Sequence, residues 1–183
     1  ANAQAARKQI RDTGVRFYGP HVGLGFPADK LRTMVDGAVS LGAERFVVSG
    51  GGKSPVKDDR LDEETARAKF ESITSLAKHC REAGIRLVYH NHTTEFAAQG
   101  LEIEELLRRT DPELVSLLLD AGHAHRAKCD VPAFIVRHHR RIDAIHLRDL
   151  RDDRWLPLGQ GEFDLTGLAA AIWSMYTPRT QHS

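Results

Sequence analysis

Three short segments bring together side chains that bind metals and move protons. Leu87-Val88-Tyr89-His90-Asn91-His92 carries an apolar run into two histidines two residues apart. Strand side chains alternate faces, so Val88, His90 and His92 share one side and both imidazoles can point at one ion. A pair of exposed loop histidines bonded to neighbours would be spelled the same way. Leu117-Leu118-Leu119-Asp120-Ala121-Gly122-His123 ends a run of leucines on a carboxylate. That is costly unless the charge is paired or bound to a cation, although Asp is also a good N-cap for a following turn. In Ile142-Asp143-Ala144-Ile145-His146-Leu147-Arg148-Asp149, alternation puts Ile142, Ala144 and His146 on one face, so His146 ends an inward row. A core histidine satisfied by backbone is the alternative there. Together, mixed imidazole and carboxylate donors suit Mn, Co, Zn or Fe better than Ca or Mg. A site with few protein ligands leaves room for a substrate hydroxyl or carbonyl.

These residues need a scaffold that delivers successive strand ends to one place. The pattern alternates short apolar runs with amphipathic stretches. Strands are expected at Val15–Tyr18, Arg45–Ser49, Arg86–His90, Leu114–Leu119 and Ala144–Leu147. Helices are expected at Asp29–Leu41, Asp62–Glu82, Leu101–Arg109, Pro132–Arg140 and Leu165–Trp173. Phe70, Ile73, Ala77 and Cys80 recur at three-to-four spacing and define one buried helix face. Gly42 and Gly84 stand where left-handed C-caps want glycine. Alternating strands and helices imply a parallel sheet with crossover helices, either doubly wound or a (β/α)8 barrel. In either, the chemistry lies at the carboxyl ends of the strands. Ser174–Ser183 loses the pattern and is expected to fray.

Length and composition fit one domain over residues 1–183. The net charge of +1 offers no bulk attraction for nucleic acid or acidic membrane. No apolar run approaches a membrane span, and the polar segment Ala1–Asp12 has no signal-peptide core. Cys80 and Cys129 read as reduced thiols, which suits a cytoplasmic protein. Ser49-Gly50-Gly51-Gly52-Lys53-Ser54 resembles the end of a phosphate-binding loop, but Val47 stands where its first glycine would be. It reads instead as a strand-to-helix loop with Lys53 a candidate anion contact. Gly159-Gln160-Gly161 reads as a turn before a helix capped by Asp164. The charged run Arg148–Arg154 reads as a solvated loop, with Arg148 a candidate substrate contact.

Tyr-His-Asn-His at 89–92, Asp-Ala-Gly-His at 120–123, His-Leu-Arg-Asp at 146–149 and Leu-Gly-Gln-Gly-Glu-Phe-Asp at 158–164 resemble the xylose isomerase-like TIM-barrel family. The similarity runs from about Val15 to Ile172 and looks closest to the inosose dehydratase and general sugar-isomerase branches. It implies an incomplete (β/α)8 barrel holding about strands three to seven of eight. It implies a divalent metal (Mn, Co or Mg, with Zn also compatible) on Asp120 and His146. His123 then matches a substrate-contacting histidine. His90 stands where epimerases have a glutamate that is both ligand and base, with His92 and Glu95 the other candidate bases. The family's last ligand, an eighth-strand glutamate, has no counterpart in this sequence.

The resemblance therefore implies a sugar or sugar phosphate isomerase/epimerase, with metal-assisted removal of a proton next to a carbonyl. An inosose-type dehydratase on the same site is the nearest alternative. A metal phosphodiesterase like endonuclease IV is disfavoured by the neutral charge and the lack of a basic stripe. A catalytically defective fragment with a weak metal site is the non-enzymatic alternative. The expected partner is a small sugar or polyol ketone, with no nucleic acid and no membrane. Open barrel edges favour association between copies, a homo-oligomer.

Overall fold

A computed structural model describes residues 2–50 and 54–176. In chain order the elements are α1 (Ala3–Asp12), β1 (His21–Gly23), α2 (Ala28–Leu41), β2 (Arg45–Ser49), β3 (Val56–Lys57), β4 (Arg60–Leu61) and α3 (Glu63–Glu82). Then come β5 (Arg86–His90), α4 (Ala97–Arg109), β6 (Val115–Asp120), α5 (Ala121–Arg126), α6 (Val131–His138), β7 (Ile142–His146), β8 (Asp149–Arg151), β9 (Arg154–Leu156) and α7 (Leu165–Tyr176). Five strands form one sheet in the order β1-β2-β5-β6-β7, and every pairing in it is parallel.

Local chemistry explains most boundaries. α2 ends at Gly42, whose φ of 85° only glycine adopts freely. α3 starts where the Asp62 carboxylate accepts the Thr65 amide at 2.8 Å, and it buries Ala66, Phe70, Ile73, Ala77 and Cys80. α7 starts beside Asp164, which accepts the Gly167 amide at 2.8 Å. Within α4 the residues Ala98, Gln99 and Gly100 are left-handed, so the regular helix begins at Leu101, as expected. Both cysteines are free thiols. Among the described residues no helix is long and apolar enough to cross a membrane.

Four expectations change. The first sheet strand is His21–Gly23, not Val15–Tyr18. The earlier segment only lends carbonyls to β2: Arg45 N–H donates to Tyr18 O at 2.7 Å and Val47 N–H to Pro20 O at 3.1 Å. Val15 itself is 66% exposed. In β7 the register slips against β6 between Leu117 and Leu118, pairing Leu117 with Ile142 and Leu118 with Ala144. That bulge turns Ile142 away from the inner row and leaves Ala144 and His146 on it. The charged run after His146 is a hairpin, β8–β9, rather than a bare loop. Ser174 belongs to α7, and the rest of the expected frayed tail beyond residue 176 lies outside the described residues.

The sheet separates two apolar regions. On its outer face Phe46, Val48, Leu87, Tyr89, Leu117 and Leu119 pack against the helices in the main core. On its inner face Val47, Val88 and Leu118 form a small cluster with Tyr18 and Ala144. At ~4.8 Å per strand, a flat five-stranded sheet would hold its outer strands roughly 19 Å apart. Here the Tyr18 hydroxyl, just before β1, donates to Asp143 Oδ2 on β7 at 2.8 Å. Arg45 on β2 donates to the same oxygen at 3.0 Å. The sheet is therefore strongly curled around its inner cluster, and the carboxyl ends of its strands converge.

Candidate metal centre and substrate cleft

Above the layer of Val47, Val88, Leu118 and Ala144 the inner row becomes polar. His90, Asp120 and His146 end β5, β6 and β7, and one ligand atom from each lies within 4.8 Å of the others. Two ligands on one ion, at ~2.0–2.2 Å each, stand at most ~4.4 Å apart. Side-chain shifts well under 1 Å would close the set. His90 and Asp120 are buried, whereas His146 is exposed, so the three meet at the floor of an open cleft. The cleft holds about 660 Å³ and is also lined by His21, Ser49, His92, His123 and Arg148.

Several features fit these residues to a metal. His90 Nδ1 is buried with no hydrogen-bond partner among the described residues, a costly state that an ion would relieve. Burial, reinforced by the neighbouring imidazoles of His21 and His146, pushes the His90 pKa down to about 3, so at neutral pH it is an unprotonated donor. Asp120 uses its oxygens separately. Oδ1 accepts the His123 amide at 2.9 Å, capping α5. Oδ2 faces His146 Nδ1 at 3.9 Å and Arg148 at 3.8 Å. A capping oxygen and an oxygen open to ligation thus coexist on one carboxylate. Asn91 steadies this strand end by donating to Asp120 O and accepting the Asp120 amide.

The other polar residues of the cleft form a second group. Arg148 Nη1 stands 3.2 Å from His123 Nε2, and Thr93 Oγ1 stands 2.8 Å from His123 Nδ1. Arg can only donate, so Nε2 accepts and Nδ1 carries the proton. Burial lowers the His123 pKa against the opposing pull of Asp120. The Arg148 guanidinium lies 4.0 Å over the Trp155 ring of the β8–β9 hairpin. Its stem passes so close to Gly122 that an added Cβ there would overlap Arg148 Cγ. The glycine of Asp-Ala-Gly-His therefore makes room for this arginine.

Of the expected site residues, His90, His92, Asp120, His123, His146 and Arg148 come together in the cleft. Lys53 lies outside the described residues. Glu95 does not join them, and its assignment as a base is corrected. Its carboxylate turns behind β5, accepting Tyr89 Oη, the His92 amide and Thr94 Oγ1, each at 2.9 Å. Burial alone would raise its pKa, but nearby Lys69 and these three donors outweigh that and hold it below the ordinary carboxylate range. Glu95 is an anchor for the His92 backbone. A neighbouring buried pair, Lys69 and Glu102 at 2.5 Å, takes a further bond from Ser54 and ties down the chain after β2.

The sequence reading passed over three residues. His21 at β1 enters the cleft 4.5 Å from the His90 ring, centroid to centroid. Its signal was present, but the apolar run at residues 15–18 drew the strand forward by several residues. Trp155 was masked by the charges around it. Asp149 is 1% exposed and accepts the amides of Leu150, Gly159, Gly161 and Phe163 at 2.9–3.1 Å. It moors the segment between the hairpin and α7.

Comparison with known proteins agrees with this architecture. The family model described as xylose isomerase-like TIM barrel matches residues 1–175. Inosose dehydratase of Halalkalibacterium halodurans is 36% identical over 83 residues, covering 45% of this chain and 27% of that protein. Inosose dehydratase of Clostridium perfringens is 32% identical over 124 residues, covering 63% and 42%. The chain thus matches less than half the length of these curated relatives. Among solved structures, an IolI protein with a bound zinc atom superposes with a TM-score of 0.79 at 15% identity, over 97% of this chain and 70% of that one. An L-ribulose 3-epimerase superposes with a TM-score of 0.71 at 20% identity, over 96% and 63%. At these identities the structural likeness speaks to the fold.

Proposed function

The chain belongs to the xylose isomerase-like TIM-barrel family, and on that premise we propose that it carries the metal centre of an isomerase or epimerase acting on a sugar or sugar phosphate. The observation that carries this reading is the convergence of His90, Asp120 and His146 at three successive strand ends. A divalent ion held there would supply Lewis-acid polarisation of a substrate carbonyl. His92, in the cleft 5.0 Å from His90 ring to ring, is the base candidate for the proton on the adjacent carbon. The Glu95 bond to its backbone holds it in position. Arg148 and His123 face the cleft as a hydrogen-bonded pair suited to a hydroxyl or anionic group of the substrate. Returning the proton to a different carbon or the opposite face gives isomerisation or epimerisation.

Dehydration of an inosose is the second reading, supported by the names of the curated relatives. The same proton removal followed by departure of a hydroxyl as water would produce it. A panel of ketoses, ketose phosphates and inososes, incubated with Mn or Co and read by mass spectrometry, separates the two. Isomerisation or epimerisation leaves the mass unchanged, and dehydration lowers it by one water. Turnover should vanish with a chelator and with Asp120→Ala. Turnover that persists in Asp120→Ala would remove the metal centre from the mechanism.

A further inference from the structure

We propose that His21 is a further metal ligand, making the centre a three-histidine, one-aspartate site that selects Zn(II) or Co(II) over Mg(II) and Mn(II). The inference rests on the metal-centre reading above and adds a residue and a selectivity to it. His21 stands on β1, the edge strand farthest in sheet order from β7, yet the curl of the sheet brings it to the same cleft. Its ring centroid is 4.5 Å from His90 and 6.0 Å from His146, and those two rings are 5.1 Å apart. With metal–nitrogen bonds of about 2.0–2.1 Å, an imidazole centroid lies about 3.2 Å from the ion. Two rings on one ion then have centroids about 4.5 Å apart at a right angle, about 5.2 Å at the tetrahedral angle and at most about 6.4 Å. All three observed separations fall in that range, so the ring spacing is compatible with one shared ion. Only His90, Asp120 and His146 already have ligand atoms within 4.8 Å of one another, and the exposed His21 ring must swing toward them to join. The rings are also steeply inclined to one another, at 76°, 87° and 59°, rather than stacked.

The packing around His21 agrees. Its backbone is set by the parallel register His21↔Val47, which puts its side chain on the face that carries Val47, Val88 and Leu118. Among the described residues, five of the ten side chains that line the cleft are imidazoles and one is a carboxylate, Asp120. Adding His21 takes the donor set from two nitrogens and one oxygen to three nitrogens and one oxygen. Imidazole-rich sets favour zinc, copper, cobalt and nickel, whereas magnesium and manganese favour carboxylate and water.

Titration of the metal-free chain with Co(II), followed by visible absorbance, tests this without any turnover. The wild-type chain is expected to bind one Co(II) with the visible bands of a nitrogen-rich site. His21→Ala should weaken binding by tenfold or more and change those bands. His21→Glu should recover much of the affinity with a shifted spectrum. Arg16→Ala, outside the cleft, should change neither, and Mn(II) should compete poorly. Circular dichroism of each metal-free variant checks that the exposed position tolerates the change. If Asp120→Ala abolishes binding while His21→Ala leaves affinity and spectrum untouched, the His21 assignment fails and the three-residue centre stands. If wild type and Asp120→Ala bind Co(II) alike, or not at all, both fail.

Discussion

In Asp120 the two oxygens have different partners, Oδ1 the amide at the start of α5 and Oδ2 the His146 and Arg148 side chains. Substitutions can therefore separate structure from ligation. Asparagine keeps a capping oxygen and removes the charge. Asp120→Asn is expected to hold thermal stability within about 1 kcal/mol of wild type while losing metal affinity by at least tenfold, measured by metal content after equilibrium dialysis. Asp120→Ala should lose both. Glu95 gives the contrasting case. Its folded pKa is depressed, so its stabilising contribution is fully present above the unfolded value near 4.3 and is lost as pH falls through the lower folded value. Glu95→Gln can keep its carbonyl oxygen on the His92 N–H only by turning its NH2 to Tyr89 Oη, and it loses the charge-assisted bonds, costing about 1–3 kcal/mol at neutral pH. Its urea midpoint should fall less steeply than wild type below about pH 4.5. Asp120 and His146 were legible because each ends an apolar run, where a polar residue needs a reason. Glu95 was misread because its direction depends on a single tight turn, Thr94–Phe96, that folds its carboxylate back onto Tyr89.

At the level of elements, helices were easy to read and hairpins were not. α2 and α3 announce themselves by periodic apolar faces and by Gly42 and Asp62 at their ends. β8–β9 has strands of three residues, too short for alternation to register, joined through Asp152 and Asp153 at φ of 48° and 59°. Aspartate tolerates that left-handed geometry, but two consecutive aspartates among arginines read first as solvated charge. The hairpin matters because it carries Trp155 over Arg148, and Arg126 fixes its turn through Asp153 at 3.1 Å. Asp149 anchors its base with four amide bonds. Asp149→Ala strands those amides and is expected to cost about 2 kcal/mol or more. Hydrogen exchange should speed up across residues 150–163 while α2 and α3 stay protected. Uniform exchange through the molecule would mean the segment is held by something other than Asp149.

At the scale of the whole molecule, the question is what curls five parallel strands so tightly that β1 and β7 serve one cleft. Parallel strands are legible as short apolar runs, and their order follows from the chain, but curvature is a property of contacts across the interior. The inner apolar cluster is small, with Val47, Val88 and Leu118 fully buried in it. Below it, Asp143 accepts from Tyr18 at 2.8 Å and from Arg45 at 3.0 Å. Burial, then Asp143, raises the Tyr18 pKa, so the phenol stays protonated and keeps donating at all ordinary pH values. Asp143 sits in the β7 bulge, which is what frees its side chain to face inward. Asp143→Ala leaves the Tyr18 phenol without this acceptor and the Arg45 guanidinium with the Glu44 carbonyl at 3.0 Å in place of a carboxylate, and we expect a loss of about 1–3 kcal/mol in urea unfolding. An exposed pair on the same part of the chain is the control. Arg16 and Glu44 approach to 2.5 Å, but Arg16 is 84% exposed and its charge is screened by solvent, so Arg16→Ala should leave the urea midpoint close to wild type. The closure also has a functional readout, because His21 and His146 reach the cleft from the two strands that Asp143 helps hold together. Asp143→Ala, although below the candidate metal centre and touching none of its proposed ligands, should weaken Co(II) binding several-fold, whereas Arg16→Ala should not. Equal losses of stability in the two variants, with metal binding unchanged in both, would mean that the curl is set by the outer helices alone.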